Sequence, residues 1–170
     1  MSRLRTMFSP TLVLAVLAAV MTSHDARAGS TVQNAVGACN GALPGFEGAL
    51  RKRPLAIANE GASNAFVSCT LATDQVLSTG VTTAGVGIIN RDTVPVAVSC
   101  TFVDGTAPEI AGAIPPTFYP KTIAILPGSA PSIVWTADEF GLTTFSEIAS
   151  ISCNLPPKTE IAAFVTLWGS

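Results

Sequence analysis

The clearest periodicity in the chain lies between residues 94 and 102. Val94, Val96, Val98, Cys100 and Phe102 fall on one parity, and Pro95, Ala97, Ser99 and Thr101 on the other. Side chains alternate across a strand, so nine residues of strict period two predict a β-strand with one buried face. The same alternation recurs along the chain between turn residues. "PLAIANEG" (residues 54–61) puts Leu55 and Ile57 on one side, and "AFVSCTL" (65–71) does so with Val67, Cys69 and Leu71. The Asn, Gly and Ser between them favour a turn, so the two segments predict a hairpin. "TTAGVGIIN" (82–90) and "VPVAVSCTFVDG" (94–105) predict a second hairpin around "NRDT". "KTIAIL" (121–126), "SIVWTA" (132–137), "EIASISCNL" (147–155) and "TEIAAFVTLW" (159–168) complete the strand set. "DEFGLTTF" (138–145) has the makings of a short helical turn, and the proline-rich residues 107–120 read as a connection.

About eight short strands without a long helix predict an all-β fold, an antiparallel β-sandwich of jelly-roll type, with an immunoglobulin-like sandwich as the alternative. Residues 29–53 are the least strand-like; "TVQNAVGACNGAL" (31–43) reads as a short helix packed across one end of the sandwich.

The N-terminus follows another pattern. Arg3 and Arg5 precede an uncharged apolar run, residues 11–21, and "ARA" at 26–28 supplies small residues where a signal peptidase reads. This is the three-part pattern of a secretory signal cleaved before Gly29, and the run is short for a membrane span. Residues 1–28 are therefore expected to leave, and residues 29–170 to form one sandwich domain in the periplasm or outside the cell. Cleavage removes the only histidine, His24. Six of the nine basic and ten of the eleven acidic residues stay, a net charge of −4 on 142 residues. Such a chain is a poor nucleic-acid binder, because that affinity comes from neutralised phosphates.

Four cysteines remain, Cys39, Cys69, Cys100 and Cys153. An even number in an exported chain reads as two disulfides. Counting allows three pairings. Tying the irregular arm to the nearest early strand favours Cys39–Cys69 with Cys100–Cys153. Without a CxxC spacing or a mature histidine, no metal site or cofactor is expected.

Candidate chemistry is sparse. "GACNG" (37–41) has the outline of a nucleophile elbow but lacks a preceding strand and a histidine base. A Ser–Lys pair would need a desolvated lysine, and Lys52, Lys121 and Lys158 sit beside turns. Asp138 and Glu139 are the one adjacent acidic pair, weak grounds for a glycan hydrolase needing two carboxylates across a cleft. Asp104 with Glu109, or Asn90 with Asp92, offers oxygens for calcium, but ordinary turn chemistry accounts for both. The candidate binding patch is "RKR", Arg51, Lys52 and Arg53, suited to an anionic glycan, lipopolysaccharide or a partner's acidic surface. Trp168, near the end of the last strand, is added as an aromatic for stacking on sugar; Trp135 and Tyr119 fit the core pattern better.

Taken together, "RKRPLAIANEG", "AFVSC", "VAVSCTFVDG" and "SISCNLPPKTEI" resemble a group of small, uncharacterised secreted proteins of Gram-negative bacteria. The resemblance spans most of residues 51–161. It implies a two-disulfide β-sandwich and an exported location, and brings no activity with it. The expected function is a non-catalytic binding or surface-interaction module for a glycan or a protein. The alternatives are a fimbrial or surface subunit, whose donor segment would have to be the weakly alternating "STVQNAVGA" (30–38), and a carboxylate-based glycan hydrolase.

Overall fold

The computed structural model describes residues 28–72, 80–106, 114–146 and 148–169. The predicted signal segment, Ala28 apart, lies outside them, as does Glu109. Eleven strands are present among the described residues: β1 Gly29–Asn34, β2 Cys39–Gly41, β3 Leu50–Arg53, β4 Ala56–Asn59, β5 Ala65–Thr70, β6 Val81–Asn90, β7 Val96–Asp104, β8 Thr117–Ile125, β9 Ser132–Thr136, β10 Ala149–Leu155 and β11 Thr159–Trp168. They form two antiparallel sheets. One runs β3-β4-β11-β6-β9 with β1 also on β11, and the other runs β2-β5-β10-β7-β8. If β4 to β11 are counted one to eight, the sheets read 1-8-3-6 and 2-7-4-5. That is a long antiparallel hairpin rolled up, the connectivity of a jelly roll.

This connectivity corrects both predicted hairpins. β4 and β5 lie in different sheets, and so do β6 and β7. Turn residues mark where a chain reverses and leave open which sheet the next strand joins. Two buried asparagines show what steers these corners. Asn59 donates from Nδ2 to the carbonyls of Ser63 and Leu155 (2.9 and 2.8 Å) and accepts from the Gly61 amide (2.9 Å). Asn90 repeats the arrangement, donating to Val94 and Ile125 (2.9 and 3.0 Å) and accepting from Asp92 (2.8 Å). Each ties its turn to the end of a strand in the other sheet.

The arm also differs from expectation. Gly29–Asn34 is a full strand paired along β11 rather than a free donor segment, and the helix is a single turn, Ala35–Ala38. Arg51 to Arg53 lie in β3, within the stretch that reads as least strand-like. Leu55 falls outside β4 and is exposed, while Ile57 is buried. Pro120 sits inside β8, at the edge of its sheet where a missing N–H costs no ladder bond.

The core fills the space between the sheets with the inward parity of each strand: Ile57, Val67, Val86, Ile88, Val98, Ile133, Ile151, Leu155, Ile161 and Phe164 are all at most 2% exposed. Disulfides join Cys39 to Cys69 and Cys100 to Cys153. Both link directly opposed residues of neighbouring strands in the five-stranded sheet, with Cα atoms 4.1 and 4.0 Å apart. Phe102, Tyr119, Trp135, Phe140 and Phe145 make an aromatic cluster, with Phe102 edge-on to Phe145 at 4.6 Å. The sandwich is laced where edge strands β8 and β9 meet. The Trp135 indole donates to the Tyr119 carbonyl (2.7 Å), and Lys121 donates to the Val134 carbonyl (2.6 Å). No described helix is long and apolar enough to cross a membrane.

Candidate functional site

The outward face of the six-stranded sheet carries a groove of about 850 Å³. Its position follows from register. Arg51, Ala58, Glu160 and Ile89 lie opposite one another across β3, β4, β11 and β6, with Arg53 beside Ala56 in the next row. Thr159 and Ile161 point into the core, so Glu160 between them points out. A bulge between Ile161 and Ala163 then adds Ala162 to the outer surface. Alanines at 56, 58 and 162 make a low floor, with Pro54, Leu55 and Ile89 as apolar walls.

The rim is charged. Glu160 is only 6% exposed, and its two oxygens meet Arg53 Nε at 3.8 Å and Arg91 Nε at 3.2 Å. Arg53 also pairs with Glu60 through Nη2 at 2.5 Å, and Arg51 approaches Glu60 at 3.9 Å. Lys158 reaches Asp92 at 3.2 Å. The Thr93 amide, and then the Lys158 ammonium, hold the Asp92 carboxyl below its ordinary value. Lys158 is the one described non-glycine residue with positive φ, 59°. Its amide donates to the Asn59 carbonyl (2.8 Å) and its carbonyl accepts from the Arg91 amide (2.9 Å). This strained residue thus fastens together the three turns that build the rim.

Three of the six basic residues after position 28, Arg53, Arg91 and Lys158, line this rim, and Arg51 stands beside it through Glu60. The outer strand positions of the other sheet carry no charge; they are serines, threonines and asparagines such as Ser68, Ser99, Thr101, Ser152 and Asn154, with Phe66 and Phe118. Of the sequence-predicted patch, Arg51 and Arg53 share the groove face. Lys52 points the other way and donates to Asn40 (2.9 Å). Trp168 does not join them. It is 8% exposed near the opposite end of β11 from Glu160, opposite Gly29, where a Cβ would fall 2.6 Å from its ring nitrogen.

Sequence reasoning missed Arg91, Lys158 and Glu160 as partners of the "RKR" segment. The available signal was that each stands at a turn or strand end in an otherwise charge-poor chain. Other candidates are accounted for locally. Asp104 accepts from the amide and hydroxyl of Ser146, and Asn90 spends its side chain on its own turn and on the Ile125 carbonyl. The Thr136 hydroxyl lowers the Asp138 carboxyl, and Glu139 pairs with Lys121 at 2.5 Å. Among the described residues no group of three or more His, Cys, Asp or Glu is placed to hold a metal.

Fold and site together define a two-disulfide jelly-roll sandwich with a charged groove on one face. No protein-family model and no curated protein sequence matches the chain. Solved structures with a similar sandwich include the CBM36-1 domain of a multidomain xylanase from the hindgut metagenome of Trinervitermes trinervoides. It is 10% identical, with a TM-score of 0.42 over 84% of this chain and 98% of that one. The C-terminal family 22 carbohydrate-binding module of Clostridium thermocellum Xyn10B is 9% identical, with a TM-score of 0.38 over 88% of each chain. The exo-β-1,3-galactanase of Phanerochaete chrysosporium is 15% identical, with a TM-score of 0.39; the match covers 82% of this chain and 29% of that one. At these identities and scores the likeness carries no argument for a shared ligand.

Proposed function

We propose that the protein is an exported, non-catalytic binding module that takes a glycan in the groove over β4, β11 and β6. The observation that carries this reading is the groove itself, an apolar floor of small side chains inside a rim lined by three of the six basic residues after position 28, with a fourth, Arg51, beside it. Its volume lies in the range of ordinary ligand sites, roughly 300–1,000 Å³. A pyranose ring can lay a C–H face on such a floor and turn its hydroxyls to the rim and to water. Both carboxylates of the groove, Glu60 and Glu160, are paired with arginines. The two disulfides agree with an oxidising compartment and hence with a cleaved signal.

The test is a glycan array probed with residues 29–170 and with an Arg53→Ala/Arg91→Ala variant. Binding to a glycan class that the variant loses is expected. Retention of no glycan, or equal binding by the variant, would overturn the reading. Release of reducing sugar from a bound polysaccharide would remove the non-catalytic part, and a secreted product that does not begin at Gly29 would remove the signal assignment.

A further inference from the structure

We infer that the groove's ligand is an acidic polysaccharide, with a uronate carboxylate seated on the outward edge of Arg91, and that Glu160 is the positioning residue for that arginine. This rests on the groove being a glycan site and adds the charge and the contact. Both arginine contacts of Glu160 run through Nε, at 3.2 Å to Arg91 and 3.8 Å to Arg53. Among the described residues neither Nη of Arg91 has a partner, and the side chain is 60% exposed. Glu160 thus takes the Nε side of the guanidinium and leaves its two-pronged Nη edge unpaired among the described residues, on a side chain that lines the groove. That edge matches the two oxygens of a carboxylate. Lys158 stands on the same rim, although the chain as a whole is acidic.

A saccharide fits this surface better than an acidic peptide. The floor lies on the face of a sheet whose backbone groups are spent in ladder bonds between β4, β11 and β6. A peptide laid there would find no partners for its own amides and carbonyls, whereas a sugar ring needs only apolar contact below and water above. Glu160 is nine-tenths buried and shared between two guanidiniums, so its own charge is largely cancelled toward a ligand beyond Arg91. Its effect is to fix the direction of the fork.

Calorimetric titration of residues 29–170 with tetragalacturonate, its methyl ester and tetraglutamate tests this. The acid form is expected to bind at least tenfold more tightly than the ester, with affinity falling as salt is raised. Arg91→Ala should lose at least tenfold, and Arg91→Lys should fail to restore it because lysine has no fork. Glu160→Gln should weaken binding several-fold, although removing a negative charge would on Coulomb grounds alone strengthen it. Ala162→Phe, which fills the floor and leaves every charge in place, should abolish binding with the melting temperature kept. Equal binding of acid and ester, or a neutral glycan alone retained on the array, would overturn this inference while leaving a glycan module standing. Tetraglutamate bound as well as the uronate would overturn it too, and tighter binding by Glu160→Gln would overturn the positioning role. No saccharide bound at all would take the broader reading with it.

Discussion

Asn90→Ala should cost far more than an ordinary loop substitution. The side chain is fully buried at the end of β6 and makes three hydrogen bonds. Its bond to Ile125 is itself buried, so truncation strands a carbonyl lone pair away from water, at about 1–3 kcal/mol. The other two bonds, to Val94 and from Asp92, are partly buried and contribute about 0.5–1.5 kcal/mol each. The expected loss is roughly 4 kcal/mol, and Asn59→Ala, with the same three kinds of bond, should match it. Asn90→Asp separates hydrogen bonding from shape. It keeps the acceptor for Asp92 but points carboxylate oxygen at two carbonyls, so at neutral pH it should be worse than alanine. Relative to wild type at the same pH it should recover in acid, where a protonated carboxyl donates once more. Urea unfolding monitored by tryptophan fluorescence provides the measurement, with Asn40→Ala as the exposed control expected within about 0.5 kcal/mol of wild type. A loss below about 1 kcal/mol for Asn90→Ala, or an aspartate milder than alanine at neutral pH, would refute the claim that this side chain holds the crossover.

Three further outcomes follow from the same geometry. Lys158→Gly should be more stable than Lys158→Ala by about 1 kcal/mol in urea, because glycine takes positive φ without strain; both should weaken ligand binding through loss of the Asp92 contact. Replacing Cys100 and Cys153 together by serine should lower stability by about 4 kcal/mol in the chain-entropy account, slightly more than replacing Cys39 and Cys69, whose loop is shorter, 30 residues against 53. Asp92 is held below the ordinary aspartate value of 3.8, so its stabilising contribution is complete above pH about 4 and disappears as pH falls through the depressed folded value; Asp92→Asn should flatten the acid limb of a stability-versus-pH curve below pH 4.

How much of the fold could be read in advance depended on whether the information was local. Period-two runs such as Val96 to Phe102 and Ala149 to Leu155 announce strands, because a half-buried strand must alternate whatever surrounds it. Eight such runs led to a jelly-roll sandwich, and the rolled order of β4 to β11 is that fold. Pairing was not local. Asn59 and Asn90 look like ordinary turn residues, and only their reach to Leu155 and Ile125 shows that each turn crosses between sheets. β1 to β3 were hidden for another reason. Each is short or exposed on one side, and β3 reads "LRKR", a segment with a single buried residue, Leu50. Such a strand is stabilised by its neighbour β4 rather than by its own pattern.

The groove was legible only in fragments because charge pairing across a sheet leaves no mark on sequence spacing. Arg53, Arg91 and Glu160 are far apart in the chain and meet because β3, β4, β11 and β6 place them on one face. What the sequence does carry is scarcity. A chain with six basic residues after position 28 that brings four of them to one groove has concentrated its cations, since surface ion pairs alone contribute little to stability. The buried partner sharpens the point. A carboxylate held at 6% exposure loses hydration that two partly exposed arginines restore only in part. Exchanging a whole buried ion cluster of this kind for apolar residues of similar volume is often neutral or stabilising. Stability is therefore a weak reason for Glu160, and aiming Arg91 is a sufficient one.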